Sequence, residues 1–408
     1  MNSSGNITVE GLAAKQRVGH SLDRAFYVDQ SIFERDLQKV FSKQWLFVDH
    51  VSRIPAPGNY VTYEVSGESI VVVRGTDGQI HAHYNVCRHR GSRICLSGEG
   101  KLRTLTCPYH GWVYDLAGNL VHAKQMGEDF DRSQWGLHSC PVRVSAGLIF
   151  IFLGAAEDAP DFDEIEGDLL PFLKLHGLAQ AKVAHTEVYP TPGNWKLAVE
   201  NFRECYHCSV AHPQYTAVNE HVKVNDVQPY SWGRTRIPEW EKSMLEKGHE
   251  GYVIGEVGPK HGPQPYWAHR APLQEGWQTA SQDGKPVAPL MGAFKDFDGA
   301  ETYLELMPQF AMSGYSDHVT QFRFTPLDPT HTEVRITWLV DQNAREGVDY
   351  DVERLKWLWD VTTLQDAEII GNNQLGVNSR RYGPGPYSTR EKRVTSFVAW
   401  YLDRLVTG

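Results

Sequence analysis

The chain of 408 residues predicts a two-part α+β fold, an all-β domain followed by a larger domain that mixes strands with helices. Three observations carry this. The length is roughly two to three times that of a common single domain, so one core does not organise all of it. From Trp45 to about residue 155, short alternating or β-branched runs (NYVTYEV, SIVVVRG, QIHAHYNV, LRTLTC, VRVSAGLIFIFL) are separated by Gly, Asp-Gly and Pro-Gly turns. Beyond them, strands (AKVAHTEVYP, HVTQFRFTPL, EVRITWLV) are interspersed with two strong helical stretches, around 194–212 and 349–376.

Taken in order, residues 1–44 are polar and then weakly helical over SIFERDLQKVFSKQW. Ser31 is placed as an N-cap, and Ile32, Leu37, Val40 and Phe41 supply an apolar side, which suits an arm docked on the second domain. The β domain occupies 45–156. The segment EDAPDFDEIEGDLLP at 157–171 is acidic, punctuated by prolines and without a clear period, so it reads as the linker that opens a second domain over 157–408. Residues 225–300 are rich in Gly, Pro and aromatics, which suits long loops over a pocket. No internal repeat is present.

Composition narrows the function. With 41% hydrophobic and 22% charged residues, the chain is ordinary for a globular protein and too apolar for disorder. No window of eighteen apolar residues occurs, and MNSSGNITVEGLAAKQ lacks the basic flank and apolar run of a signal peptide, so a cytoplasmic protein with no membrane contact is expected. The net charge of -10, 50 acidic against 40 basic side chains without a long like-charge block, disfavours nucleic acid as a partner. Six cysteines in a chain of this length are not a disulfide framework and are expected as thiols or metal ligands.

Their placement separates the two roles. Cys87-Arg88-His89-Arg90-Gly91 is followed by Cys107-Pro108-Tyr109-His110-Gly111-Trp112, so each short loop offers one thiolate and one imidazole. Two Cys and two His suit a single zinc, but zinc knuckles usually pair like with like. A mixed pair on each loop suits two irons, because a Rieske [2Fe–2S] centre needs two thiolates on one iron and two imidazoles on the other. Gly91 and Gly111 fit tight turns, and Pro108 stiffens the second loop. Cys95 and Cys140 read as buried hydrophobes.

A second constellation lies at NWKLAVENFRECYHCSVAHP, where Trp195, Val199, Phe202 and Tyr206 form an apolar stripe and His207 and His212 lie five apart near a helix end set by Pro213. Two such histidines alone suit a structural role, and a third ligand is needed. In VDYDVERLKWLWDVTTLQDAEIIGNNQ, Val352, Leu355, Trp359, Thr362, Asp366 and Ile369 or Ile370 recur at steps of three and four, so Asp366 interrupts an apolar face, whereas Asp360 falls on a polar one. A buried carboxylate is costly unless paired or metal-bound. Asp366 is therefore preferred to Asp360 as third ligand, a core salt bridge being the other reading. His207, His212 and Asp366 would form a 2-His-1-carboxylate triad that leaves iron open for oxygen and substrate. Glu204 and Asn201 lie on the His207 side of the helix, within reach of a supporting role.

With these motifs in view, the chain resembles the catalytic α subunit of Rieske non-haem iron oxygenases, the aromatic-ring-hydroxylating dioxygenase type, from about Trp45 onward. C-x-H-R-G with C-P-Y-H-G-W matches the family's cluster motif, and E-N-F-R-E-C-Y-H-x4-H its iron-binding helix. The resemblance implies cluster ligands at Cys87, His89, Cys107 and His110, iron ligands at His207, His212 and Asp366, and a bridging acid at Glu204. It implies a helix-grip (START-like) catalytic domain with an antiparallel sheet and a homotrimer in which Glu204 links His207 to His110 of the partner subunit. Glu rather than Asp at 204, the ECYHC run and YGPGPYS at Tyr382–Ser388 resemble the branch of carnitine oxygenases and glycine-betaine or stachydrine demethylases.

The expected reaction uses O2 and electrons from NAD(P)H through a separate flavin/iron–sulfur reductase, since no G-x-G-x-x-G unit appears here. The substrate is a small organic molecule, hydroxylated or N-demethylated, with aromatic ring hydroxylation as the alternative. Tyr266, Trp267, Trp277, Phe294 and Phe297 would either cage a quaternary ammonium or pack the core. A Rieske electron carrier or a zinc-stabilised binding module would use only the first motif, leaving some 250 residues and a second His/His/Asp set without a role.

Overall fold

A computed structural model describes residues 8–219, 231–259 and 263–407. The chain divides into two compact units, Phe41–Pro160 on one hand and Met1–Val40 with Asp161–Gly408 on the other.

In the first unit the alternation seen in the sequence becomes three small antiparallel sheets. β2 (Asn59–Val65), β3 (Glu68–Arg74), β4 (Ile80–Tyr84) and β5 (Glu99–Lys101) form a sheet of order β4-β3-β2-β5, while β1 (Leu46–His50), β9 (Val142–Ser145) and β10 (Leu148–Ile151) form the order β1-β10-β9. The third sheet is β6 (Leu105–Thr106), β7 (Val113–Tyr114) and β8 (Leu120–His122). The β2–β3 hairpin turns on Ser66 and Gly67, both with positive φ, the geometry that matches the twist of the flanking strands. Inward residues such as Val71, Val73, Tyr114 and Leu105 share one core with Cys87, Cys95 and Cys107.

The second unit is built on a six-stranded antiparallel sheet of order β11-β16-β15-β14-β13-β12, in which β12 (Tyr266–Pro272), β13 (Ala300–Leu306), β14 (Phe310–Gly314), β15 (Val319–Asp328) and β16 (His331–Asp341) run as a meander and β11 (Ala181–Thr191) pairs with β16. The long helix α4 (Val352–Asn378) packs on β11 and on α3 (Trp195–Phe202). Contact there is close enough that a Cβ on Gly193 would lie 2.4 Å from Ile370 Cγ2 and 3.3 Å from Ile370 O, so a larger residue would displace the Ile370 side chain. The N-terminal segment belongs to this unit: Asp36 of α1 (Gln30–Lys39) is fully buried and receives Trp195 Nε1, Lys196 Nζ and the Tyr401 hydroxyl. Lys196 is equally buried, and the pair compensates two charges that would otherwise be expensive to desolvate.

Three expectations are corrected. The segment 157–171 is not a linker: α2 spans Phe162–Leu175, capped by Asp161, with Phe162, Ile165, Leu169, Phe172 and Leu173 buried. These positions recur at helical spacing, and the prolines concealed the period; Pro171 is accommodated inside the helix. The cap of α1 is Asp29, whose Oδ1 accepts from Ser31 N at 2.8 Å, because the helix begins one residue before Ser31. The loop-rich reading of 225–300 overlooked a helix at Ser231–Glu246 and strand β12; residues 225–230 and 260–262 lie outside the described residues.

Candidate metal and active site

The helical stretch read over 194–212 is in fact interrupted. α3 ends at Phe202, a turn carries Glu204 to His207, a short helix spans Cys208–Ala211, and Pro213 opens another at its first position. His212 sits between the last two with φ -123° and ψ 75°, outside helical geometry, as the residue before a proline tends to be. The interruption is what lets residues five apart converge: the two ring centroids are 5.0 Å apart. It also displaces Tyr206 from the apolar stripe on which Trp195 and Val199 are buried, and Tyr206 is exposed.

α4 brings the third group. Its inward face runs through Leu355, Trp359, Thr362 and Ile370, all buried. Asp366 lies along it with Oδ1 3.0 Å from His212 Nε2 and 3.5 Å from His207 Nε2. The candidate ligand atoms of His207, His212 and Asp366 all fall within 4.8 Å of one another. Two imidazole nitrogens and one carboxylate oxygen on one side of a point are the donors that hold Fe(II) while leaving positions open. Asp360 is engaged elsewhere, accepting a 2.6 Å hydrogen bond from the Tyr189 hydroxyl.

Each imidazole is oriented through its other nitrogen. His207 Nδ1 is 2.5 Å from Glu204 Oε1, and His212 Nδ1 is 2.8 Å from Gln365 Oε1. With Nδ1–H donated to these oxygens, each Nε2 is directed at Asp366, bearing a proton in the metal-free site and a lone pair once a cation takes the proton's place. The Gln365 amide donates to Gln214 Oε1 at 3.1 Å, which fixes its oxygen toward His212. Burial disfavours a charged His207, but Asp366 and Glu204 outweigh it and push its pKa up to about 10. His212 moves up against burial through Asp366, and the two histidines hold the Asp366 carboxyl down although burial works the other way. Such a site is prepared to exchange protons for a cation. The second Glu204 oxygen accepts from the backbone N–H groups of Tyr206 and, at 3.3 Å, His207, so this acid also pins the turn. Asn201 Nδ2 lies 3.3 Å from His207 Nε2, beside the triad.

The triad borders a cavity of about 1040 Å³. Of the five aromatics singled out in the sequence, Tyr266 and Trp267 line it and the others do not; Phe294 packs with Leu175, Met244 and Tyr252 in a separate core. Tyr215 and Trp359 also line the cavity, 5.4 Å apart between centroids. Gln365 and Tyr215 were not picked out from the sequence. Each sits within three residues of a candidate ligand, on the same helix as Asp366 or on the helix that follows His212, and that adjacency was the available signal.

In the β unit, the Cys87 and Cys107 loops have the same construction. Gly91 N–H donates to Cys87 O at 2.9 Å and Gly111 N–H to Cys107 O at 3.1 Å, while each cysteine N–H donates to the carbonyl five residues on, Ser92 or Trp112. Gly91 and Gly111 have φ of 75° and 69°, which the turns require. Both thiols are buried, and both imidazoles are exposed with centroids 4.5 Å apart. Trp112 stacks on His89 at 4.9 Å, and the Tyr114 hydroxyl lies 3.3 Å from Cys87 Sγ. Two buried thiols and two outward imidazoles on matched loops suit a cluster whose irons differ in ligand type. Cys95 and Cys140 are buried apart from these loops' tips, and burial pushes their thiols up to about 11 and about 12, which makes them inert.

Comparison with known proteins adds two domain families. Residues 44–141 match the Rieske [2Fe-2S] domain, and residues 178–407 match the ring hydroxylating alpha subunit (catalytic domain). The chain is 38% identical over 396 residues to the glycine betaine monooxygenase oxygenase subunit of Pseudomonas aeruginosa strain UCBPP-PA14, covering 95% of this chain and 90% of that protein. It is 39% identical over 387 residues to the carnitine monooxygenase oxygenase subunit of Escherichia coli strain K12, covering 91% and 88%. A crystal structure of the quaternary ammonium Rieske monooxygenase CntA in complex with an inhibitor superposes with a TM-score of 0.71 at 25% identity, over 97% of this chain and 98% of that one.

Proposed function

The chain belongs to the family of Rieske ring-hydroxylating oxygenase α subunits, and on that premise we propose that it hydroxylates or oxidatively N-demethylates a quaternary ammonium compound. Membership brings a Rieske [2Fe–2S] cluster, a mononuclear iron in the catalytic domain, O2 as co-substrate and electrons from a separate reductase. Among the described residues, no helix is long and apolar enough to cross a membrane. The names of the relatives support the substrate class. The observation that carries the proposal is the His207, His212 and Asp366 set at the wall of the cavity.

In this reading Cys87, His89, Cys107 and His110 hold the cluster in a domain over 45–156, and His207, His212 and Asp366 hold iron in a domain over 157–408 on which the 1–44 arm packs. Iron bound there supplies the binding and activation of O2. Gln365 and Glu204 keep the two imidazoles in the tautomer that presents Nε2. In this reading the substrate lies in the cavity with a carbon bonded to its nitrogen beside the triad. Hydroxylation of that carbon gives a carbinolamine-type product whose C–N bond breaks, releasing an amine and a carbonyl compound. Two electrons and two protons reduce the second oxygen atom to water. Glu204, already on His207, takes the bridging place to His110 of the partner subunit in a cytoplasmic homotrimer.

The test is turnover by the purified oxygenase with a Rieske-type reductase and NADH on glycine betaine, carnitine and simple arenes. Amine and aldehyde formation matched to O2 and NADH consumption is the expected result. Formation of ring diols from arenes, with no product from the ammonium compounds, would contradict it.

A further inference from the structure

Two of the six cysteines have no part in the site as described. Cys205 and Cys208 flank His207 in the ECYHC run, and their Sγ atoms are 2.7 Å apart. The broken helix explains this approach: Cys205 lies on the turn after Phe202 and Cys208 opens the short helix that follows, so the chain folds back between them. Cys208 Sγ is 3.9 Å from His207 Nε2, and both cysteines line the cavity together with His207, His212 and Asp366.

Thiols are weak hydrogen-bonding groups, so an S–H···S contact gives little reason for two of them on a cavity wall; what sets cysteine apart from serine or alanine is its reactivity. The other four cysteines belong to the β unit, Cys87 and Cys107 as the proposed cluster ligands and Cys95 and Cys140 in its interior. A C-x2-C pair already in contact closes to a disulfide with little movement of the chain.

The oxidant follows from the reaction. O2 that takes up two electrons and two protons without passing oxygen to a substrate leaves as hydrogen peroxide. Formed at the triad, it is released into the cavity that both sulfurs border. We propose that Cys205 and Cys208 are a reversible peroxide-oxidation site that closes to a disulfide around His207. The source of the peroxide rests on the oxygenase reading; the oxidation itself does not. Cys205 is half-buried and meets the oxidant first, whereas Cys208 is 4% exposed. One peroxide oxygen joins the Cys205 sulfur as S–OH, and the other leaves as water with the thiol proton. The Cys208 sulfur then attacks the Cys205 sulfur, the S–O bond breaks, and the hydroxyl leaves as a second water with the Cys208 proton. Two thiols and one peroxide give one disulfide and two waters. Contact between the sulfurs favours this step over further oxidation. Tyr206 and His207 lie inside the ring so closed, which restrains the turn carrying a candidate iron ligand, and turnover falls until a thiol reductant reopens it.

Hydrogen peroxide added to the iron-loaded holoenzyme, without reductase or substrate, tests the site by peptide mass mapping, because both cysteines fall on one tryptic peptide, 204–223. Wild type should yield that peptide two hydrogens lighter, at a rate about tenfold or more above oxidation of Cys95 or Cys140. Dithiothreitol should restore the dithiol and, in a separate assay with reductase, the lost turnover. Cys208→Ser, which lacks the resolving thiol, should hold Cys205 as a sulfenic acid that dimedone traps. Cys205→Ser should keep Cys208 as a thiol and lose the part of the inhibition that dithiothreitol reverses. Thiols at 205 and 208 that outlast Cys95 or Cys140, oxidation of wild type to sulfinic acid without a bridge, or a bridge that leaves turnover unchanged would overturn the proposal. Bridge formation with added peroxide in a protein that turns over no substrate would support the site and sink the oxygenase reading alone.

Discussion

The two candidate metal-binding regions of this chain are built on opposite plans. In the β unit, each half of the ligand set is a closed local turn, a cysteine and a histidine held between a cysteine carbonyl and a glycine N–H, and the turn is used twice. In the catalytic unit, the set joins residues 154 apart in sequence and exists only because α4 packs beside the broken helix after α3. Exposure is also reversed. The β unit buries its thiols and presents its imidazoles, whereas His212 is 1% exposed and meets a cavity rather than the surface. Outward imidazoles suit a centre that passes electrons to another protein surface, and a triad on a cavity wall suits one that must meet a substrate.

The sharpest way to break this comparison is to remove one set and examine the other. His207→Ala should abolish turnover, by roughly a thousandfold or more, and lose the mononuclear iron while the visible spectrum of the cluster is unchanged. Cys107→Ser should bleach that spectrum and leave iron at the triad. Metal analysis with absorption spectroscopy reads both, and joint loss in either variant would show that the two regions are not independent. Asp360→Ala should keep the iron and cost only the Tyr189 hydrogen bond, about 1 kcal/mol of stability.

Groups that orient ligands should give intermediate effects. Glu204→Gln is expected to retain both metals and lower turnover by roughly a hundredfold; near-normal coupled activity would remove Glu204 from the electron path. Gln365→Leu removes the acceptor from His212 Nδ1 and should weaken iron binding by about tenfold to a hundredfold, measured by chelator competition. The smallest effect concerns pH. Half-buried Glu200 accepts from the Tyr27 hydroxyl at 3.0 Å, and burial pushes its carboxyl from 4.5 up to about 8. Folded protein therefore binds more protons than unfolded protein between those values, and stability falls as pH rises through that window. Glu200→Gln should flatten the decline in melting temperature between about pH 5 and about pH 8; an unchanged slope would assign it to other groups.

The same contrast explains what was legible in the sequence. A turn whose candidate ligands lie within five residues writes its chemistry as a motif, so Cys87, His89, Cys107 and His110 stand out in the sequence as the proposed cluster ligands. His207 and His212 stand out as candidates only because Pro213 takes His212 out of helical geometry, and Asp366 only as a carboxylate on an apolar stripe. Gln365 lacked any such mark, since a glutamine beside that stripe looks like surface until His212 is known to face it. Helix α2 was concealed by composition, its acidic and proline residues outweighing a regular buried stripe.

The central claim is that one polypeptide carries both centres. Iron and acid-labile sulfide determination on anaerobically purified, fully loaded protein, combined with electron paramagnetic resonance after reduction, tests it most directly. The expected result is about three irons and two sulfides per chain with a Rieske-type signal; two irons or fewer after full loading, or no sulfide, would contradict it.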